Sequence, residues 1–255
     1  MRNSIHAHVP YSRLAEHLEF AVKNRINPEV FLSADSLDTL VWEELASHAK
    51  VLHEAGLATT IHSPFMDLNP GAMDSSIREA TRGRIRQVMR AAELLRPRVI
   101  VVHPGFDDLH YGDNSLEWLK NSVGFWREFV PQARELGTIL AIENIFEKEP
   151  STLKALLDAI DDPCFRHCFD VGHWNMFTTV TMEKWFSELG SYIVESHIHD
   201  NHGKSDEHLP VGDGEIDFDG FFRLLTRHAP EAVWTIEAHS TAHLQRALSN
   251  IQKYL

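Results

Sequence analysis

Short apolar, β-branched runs alternate with longer amphipathic stretches from one end of the chain to the other. The runs cover residues 4–9, 30–33, 59–63, 99–103, 139–144, 167–171, 194–199 and 233–238. The stretches that follow them, 14–24, 41–55, 75–95, 116–136, 153–160, 182–189, 218–228 and 242–254, repeat their apolar residues at helical spacing. Helix punctuation agrees: Ser151 and Thr181 stand where N-caps belong, Gly56 and Gly137 where helices stop, and Pro97 closes the third helix. Strict strand–helix alternation predicts parallel strands with helices outside them. Eight such units in 255 residues, with no linker or low-complexity tract, predict an α/β fold with one domain over 1–255, closed as a (β/α)8 barrel. No G-x-G-x-x-G follows the first run, which argues against a dinucleotide-binding sheet. Two connections, 64–74 and 200–217, are longer than a barrel needs and follow strands, on the side where barrels keep their chemistry.

The polar residues fall in register with that pattern. His62, His103, Glu143, Asp170, His197 and Glu237 each end a predicted strand. Alternate strand residues face one side, so His103 lies with Val99 and Val101, Glu143 with Ile139 and Ala141, and Glu237 with Val233 and Thr235. If those faces line the barrel, six metal-capable groups meet at one mouth. His173, Asp206 and His208 stand just beyond strand ends. Three carboxylates crowded together repel one another, and a divalent cation removes the repulsion. Carboxylate and imidazole donors suit Zn, Mn, Co or Fe. Nine candidates exceed one coordination shell, so the expected content is one to three divalent ions. His8, His173, Trp174, His199 and Lys204 are the candidate substrate contacts, with Phe65 and Phe177 as apolar walls.

Composition narrows the partners. The net charge is −13, which disfavours a nucleic-acid footprint. The one basic cluster, Arg78, Arg82, Arg84, Arg86 and Arg90, reads as a solvated helix face, with Arg78 and Arg82 near enough to the rim to meet an anionic substrate. No apolar run reaches the ~18 residues of a membrane span. Residues 1–6 contain no signal-peptide core, and Cys164 and Cys168 are too few for a disulfide framework, so a cytoplasmic location is expected. The two thiols read as buried and inert.

The motifs resemble those of the xylose isomerase-like TIM-barrel superfamily, which includes the sugar phosphate isomerase/epimerase group and endonuclease IV, the apurinic-site endonuclease family 2. The resemblance rests on His62-Ser63-Pro64, His103-Pro104-Gly105, Ile142-Glu143-Asn144, Asp170-Val171-Gly172-His173, His197-Ile198-His199-Asp200-Asn201, Asp206-Glu207-His208 and Ile236-Glu237. It implies two alternatives. In epimerase-type relatives the residues matching Glu143, Asp170, His197 and Glu237 hold one catalytic metal, and the match to His173 touches substrate. In endonuclease IV the matches to His62, His103, Glu143, Asp170, His173, His197, Asp206, His208 and Glu237 hold three zinc ions. The first predicts isomerisation or epimerisation of a small sugar or sugar phosphate, with Glu143 and Glu237 exchanging a proton. The second predicts multinuclear hydrolysis of a sugar-phosphate linkage, in a small metabolite rather than DNA. A non-catalytic binding barrel is the third possibility, and two potential bases argue against it. Many barrels of this group pair, so a homo-oligomer is compatible with the sequence, although no interface signature is legible.

Overall fold

A computed structural model describes residues 5–255, so Ser4 and the leading residues of the signal-peptide reading lie outside the described residues. Eight parallel strands close into one barrel in sequence order. They are β1 (Ile5–Pro10), β2 (Asn27–Phe31), β3 (Thr60–His62), β4 (Val99–Val102), β5 (Ile139–Glu143), β6 (Phe165–Asp170), β7 (Ile193–Ile198) and β8 (Val233–Ile236). Closure pairs Ile5 with Trp234 and Ala7 with Ile236. The chain is a single (β/α)8 TIM barrel.

The strand parity read from the sequence is the parity of the lumen. Val99, Val101, Ala141, Cys168 and Val233 form a small apolar cluster inside the barrel, below the polar residues of the same faces. The larger core lies between the outside of the barrel and the helices, around fully buried Trp118, Trp126, Trp185, Phe129 and Phe169. Burying a Phe-sized side chain contributes about 1.5–3 kcal/mol, so this outer layer carries most of the hydrophobic stabilisation.

Several helix ends fall where the side chains predict. The helices Ser75–Leu95, Met182–Leu189 and Phe218–His228 have the expected bounds. Thr181 accepts from the Lys184 N–H as an N-cap, while Ser151 is the first helical residue because Pro150 takes the cap position. Gly137 ends its helix at φ +70, a conformation open to glycine at little cost. The second strand starts earlier than its apolar run. Asn27 stitches it in place, donating from Nδ2 to the Ile5 carbonyl (3.1 Å) and accepting from the Ala58 N–H (3.0 Å). Ser33, expected in that strand, instead caps a short helix, Ala34–Asp38. Other short helices at Asp108–Tyr111 and Val171–Phe177 had no periodic signal long enough to predict them. The last helix runs over Thr241–Asn250 and then tightens into a 3-10 turn. Among the described residues no helix is long and apolar enough to cross a membrane.

His167 ties β6 to the outer layer. Its Nδ1 lies 2.8 Å from the Ile142 carbonyl, and Trp185 Nε1 donates to its Nε2 (3.2 Å). Both nitrogens are satisfied only in the neutral Nδ1–H form. Burial lowers its pKa from 6.5 to about 4, against the opposing pull of the Ile142 carbonyl and Glu143. Between those values the unfolded chain holds a proton that the folded chain refuses. The stability tied to this residue is therefore complete above pH 6.5 and is lost as pH falls toward 4, by roughly 3 kcal/mol. Urea titrations at pH 7, 5.5 and 4.5 should show a shallower acid loss in His167→Gln than in the wild type. Equal slopes would remove this assignment.

Candidate metal centre

The barrel mouth gathers its polar groups from all eight strand ends. His8 comes from β1, Glu29 from β2, His62 from β3, Glu143 from β5, Asp170 from β6 and His197 from β7. His103 and Glu237 follow β4 and β8 directly. Asn144 locks β5 to β6: its Nδ2 donates to the Asp170 carbonyl (2.8 Å) and its Oδ1 accepts from the Asp170 N–H (2.9 Å). Asp170 then caps the short helix Val171–Phe177 by accepting from the His173 N–H. The seventh loop folds back as an antiparallel bridge between Asp200 and Leu209. The buried Asp200 carboxylate accepts from the N–H groups of Asn201, Gly212, Gly214 and Ile216, which holds that loop against the mouth. A Cβ on Gly214 would sit 2.4 Å from Asp200 Oδ1, so the fold needs glycine there. Gly172 is constrained likewise: a Cβ would lie 2.0 Å from His199 Cε1.

Three groups of donors result. His197 Nδ1 lies 3.3 Å from Glu143 Oε1, 3.4 Å from Glu237 Oε1 and 3.8 Å from Asp170 Oδ2. Glu143 Oε2 lies 3.3 Å from His62 Nε2 and 3.2 Å from His103 Nε2. Asp206 Oδ2 lies 2.9 Å from His208 Nε2 and 3.6 Å from His173 Nε2. Donors about 2.1 Å from a shared ion stand roughly 3.0–3.5 Å from one another, so most of these spacings are those of ligand shells. The hydrogen bonds point the same way. His62 Nδ1 is 2.9 Å from the Ser63 carbonyl, His173 Nδ1 is 3.1 Å from the Asn144 carbonyl, and His197 Nε2 is 3.2 Å from Glu29 Oε2. An imidazole that donates there turns the lone pair of its other nitrogen toward a carboxylate oxygen. Two lone pairs face to face call for a cation between them, and an outer hydrogen bond that fixes the tautomer is usual for metal-ligating histidine. Glu143 Oε2 is buried and accepts no hydrogen bond among the described residues. The donor set therefore fits one or more divalent cations.

Charge tells the same story. Burial alone raises the carboxyl pKa values, yet Glu143 is held well below the usual range by the charge of the adjoining His197 and His103. Glu237 falls to about 2, burial being outweighed by His197, His208, His8 and His199. Burial lowers His208, but Asp206 and Glu237 outweigh it and bring it to about 9. Imidazolium charge here balances the acids, a role that a divalent cation takes over with neutral imidazoles.

All nine ligand candidates read from the sequence meet at this mouth. His8 and His173 line the adjoining cavity of about 820 Å³. Three expected substrate contacts do not line it. His199 lies behind Asp170, with Nε2 3.2 Å from Asp170 Oδ2 and its ring stacked on His208 at 4.1 Å. Trp174 packs on the hydrophobic core: His173, Met176 and Phe177 share the inward helix face, and Trp174 falls outside it. Lys204 is exposed on the seventh loop and is not among the residues that line the cavity, although Asp206 and His208 of the same loop are. The anionic-substrate role of Arg78 and Arg82 also falls. Arg78 donates to the Ala72 and Met73 carbonyls, and Arg82 pairs with Glu79 and Glu128.

Glu29 and Glu195 were not anticipated. Glu29, fully buried, contacts His8 Nδ1 (3.0 Å) and His197 Nε2. Glu195 accepts from Thr235 Oγ1 (2.5 Å) and is pushed up to about 8 by burial and by the charge of Glu29. Glu29 shares parity with the lumen-facing end of β2, but Pro28 beside it hid the strand. Cys168 sits on the lumen floor with its thiol pKa raised by burial, whereas Cys164, also expected to be buried, is only half-buried.

The sequence model of the family described as xylose isomerase-like TIM barrel matches residues 29–254. The chain belongs to this family. Like it in sequence is the uncharacterised protein MJ1311 of Methanocaldococcus jannaschii, 30% identical over 203 residues, which cover 76% of this chain and 69% of that protein. Among solved structures, a D-tagatose 3-epimerase-like protein has the same fold, with a TM-score of 0.83, 23% identity, and coverage of 98% of this chain and 96% of that one. The TTHB071 protein of Thermus thermophilus, solved after soaking with ZnCl2, follows with a TM-score of 0.81, 21% identity, and coverage of 98% and 97%. This xylose isomerase-like barrel thus keeps the fold over nearly its full described length.

Proposed function

We propose that the protein is a metal-dependent isomerase or epimerase that moves a proton at the carbon beside a carbonyl in a small carbohydrate-like molecule. One observation carries the reading: a single imidazole nitrogen, His197 Nδ1, faces carboxylate oxygens from β5, from β6 and from the residue after β8, with Glu29 fixing the imidazole from behind. Glu143, Asp170, His197 and Glu237 would hold the ion. The chemistry such an ion supplies when bound is Lewis acidity, which draws charge onto a chelated carbonyl oxygen and acidifies the neighbouring C–H. Glu143 and Glu237 approach from separate strands, β5 and β8. One takes the proton from the carbon and the other returns a proton, to the same carbon for epimerisation or to its neighbour for isomerisation. His8 and His173, on the cavity wall, orient substrate hydroxyls. The epimerase-like structure of the same fold supports this choice.

The second reading, a multinuclear phosphoesterase, draws on the way Glu143 is shared. Oε1 faces His197 while Oε2 faces His62 and His103, and His173, Asp206 and His208 make a further group. Against it, no Lys or Arg lines the cavity among the described residues. The test is to incubate the manganese- or zinc-loaded protein in D2O with a panel of ketohexoses and with bis(p-nitrophenyl) phosphate. Deuterium is expected to enter the sugar beside its carbonyl while the phosphoester stays intact. Phosphoester cleavage without exchange, with two or three ions per chain, would replace the first reading with the second.

A further inference from the structure

The cavity that contains the ligands is far more apolar than a free sugar requires. Its wall includes Phe31, Phe65, Met73, Ile77, Phe146 and Phe177. Phe65 stacks on His103 at 4.3 Å, and Phe146 meets Phe177 edge to face at 5.0 Å. Four wall residues stay wet: Met66 is 71% exposed, Phe146 47%, Met73 44% and Ile77 43%. Such a patch beside a reactive centre marks a surface that an apolar group covers. A volume of about 820 Å³ lies in the upper part of the roughly 300–1,000 Å³ range of pockets that enclose drug-sized ligands.

The wall also lacks what a phosphate needs. Its charged residues outside the metal centre, Asp67, Asp74 and Asp107, are acidic, and no guanidinium or ammonium group joins them among the described residues. Asp74 and Asp107 serve as helix N-caps. Arg78, the basic residue nearest in sequence, is turned away and holds the loop through the Ala72 and Met73 carbonyls.

We propose that the substrate is a phosphate-free hydroxy-carbonyl compound carrying an apolar substituent. Its hydroxy-carbonyl end meets the ligand groups, and its aryl or alkyl end packs on the Phe146–Ile77–Met73 wall. This names the substrate class of the isomerase reading and rests on it.

Three probes share one hydroxy-carbonyl unit and differ in the attached group: 2-hydroxyacetophenone (phenyl), hydroxyacetone (methyl) and dihydroxyacetone phosphate. Calorimetric titration of the manganese-loaded protein should give an affinity for 2-hydroxyacetophenone at least about tenfold above that for hydroxyacetone, since a buried phenyl ring carries that much and more. The phosphate should bind no better than hydroxyacetone. Phe146→Asn, alone and combined with Ile77→Ser, should shrink the phenyl-to-methyl ratio below about threefold. Both residues are partly exposed, and a thermal melt checks folding; Met73→Ser serves if the double variant fails to fold. Equal affinities, the phosphate as tightest ligand, or a phenyl preference unmoved by the variants would each overturn the proposal. Exchange of the hydroxymethyl protons in D2O separates the two claims. Exchange on hydroxyacetone without phenyl preference sinks the apolar class and leaves the isomerase. A phenyl preference that the variants abolish, with no exchange on any probe, keeps the apolar site and sinks the isomerase.

Discussion

Glu143→Gln is expected to lower turnover by about 10³-fold, in the range of a lost general base, while the protein stays folded. The substitution keeps the shape and one oxygen but removes the lone pair that accepts the substrate proton. Asp170, His197 and Glu237 remain to hold an ion, so metal content should fall in affinity rather than vanish. Glu143 sits among four imidazoles, its Oε2 unpaired and its Oε1 shared with His173 and His197. The surrounding imidazoles hold its carboxyl well below the usual range, so neutralising it removes a favourable charge, and the melting temperature of the metal-free variant should fall below that of the metal-free wild type. Deuterium incorporation from D2O measures the loss of catalysis, and elemental mass spectrometry measures the ion separately. Turnover within threefold of wild type would remove the assigned role.

Chelation is the second large effect. Dialysis against EDTA should bring turnover to background and lower the melting temperature, because three buried carboxylates lose the charge that holds them together. Readding an ion at about 100 times its dissociation constant should restore roughly 2.7 kcal/mol, some 5–10 °C for a chain of this size. Asp170→Asn should erase most of that shift. The donor Asp170 Oδ2 is 3.8 Å from His197 Nδ1 and 3.2 Å from His199 Nε2, and an amide binds a divalent ion less tightly than a carboxylate. A melting curve indifferent to metal in the wild type would mean that the cluster is a hydrogen-bonded acid–imidazole network and nothing more.

The ligands at the strand ends were readable from the sequence because strand parity is a local property. Backbone pleating alone places every second side chain on one face, so a His or Glu two residues past a lumen valine points into the same lumen wherever the strand ends up. His173, Asp206 and His208 lie beyond the strands, and there the signal was their short spacing from Asp170 and from each other. The alternation of short runs and amphipathic stretches determined the barrel for a reason like that of parity: each element's period is written in its own residues.

What lies across an element is not so written. Glu29 became the buried partner of His197 only because β2 closes beside β1 and faces β7 across the lumen, a separation of 168 residues. Lys204 and Trp174 share the neighbourhood of the ligands in sequence, but Lys204 stays in solvent and the phase of a seven-residue helix turns Trp174 to the core. The arginine row looked free until packing brought Glu128 to Arg82 and Asp38 to Arg84, each 46 residues off. Period and parity follow from torsions within a few residues, whereas pairing, screening and the apolar wall of the cavity depend on which distant surfaces the closed barrel presses together.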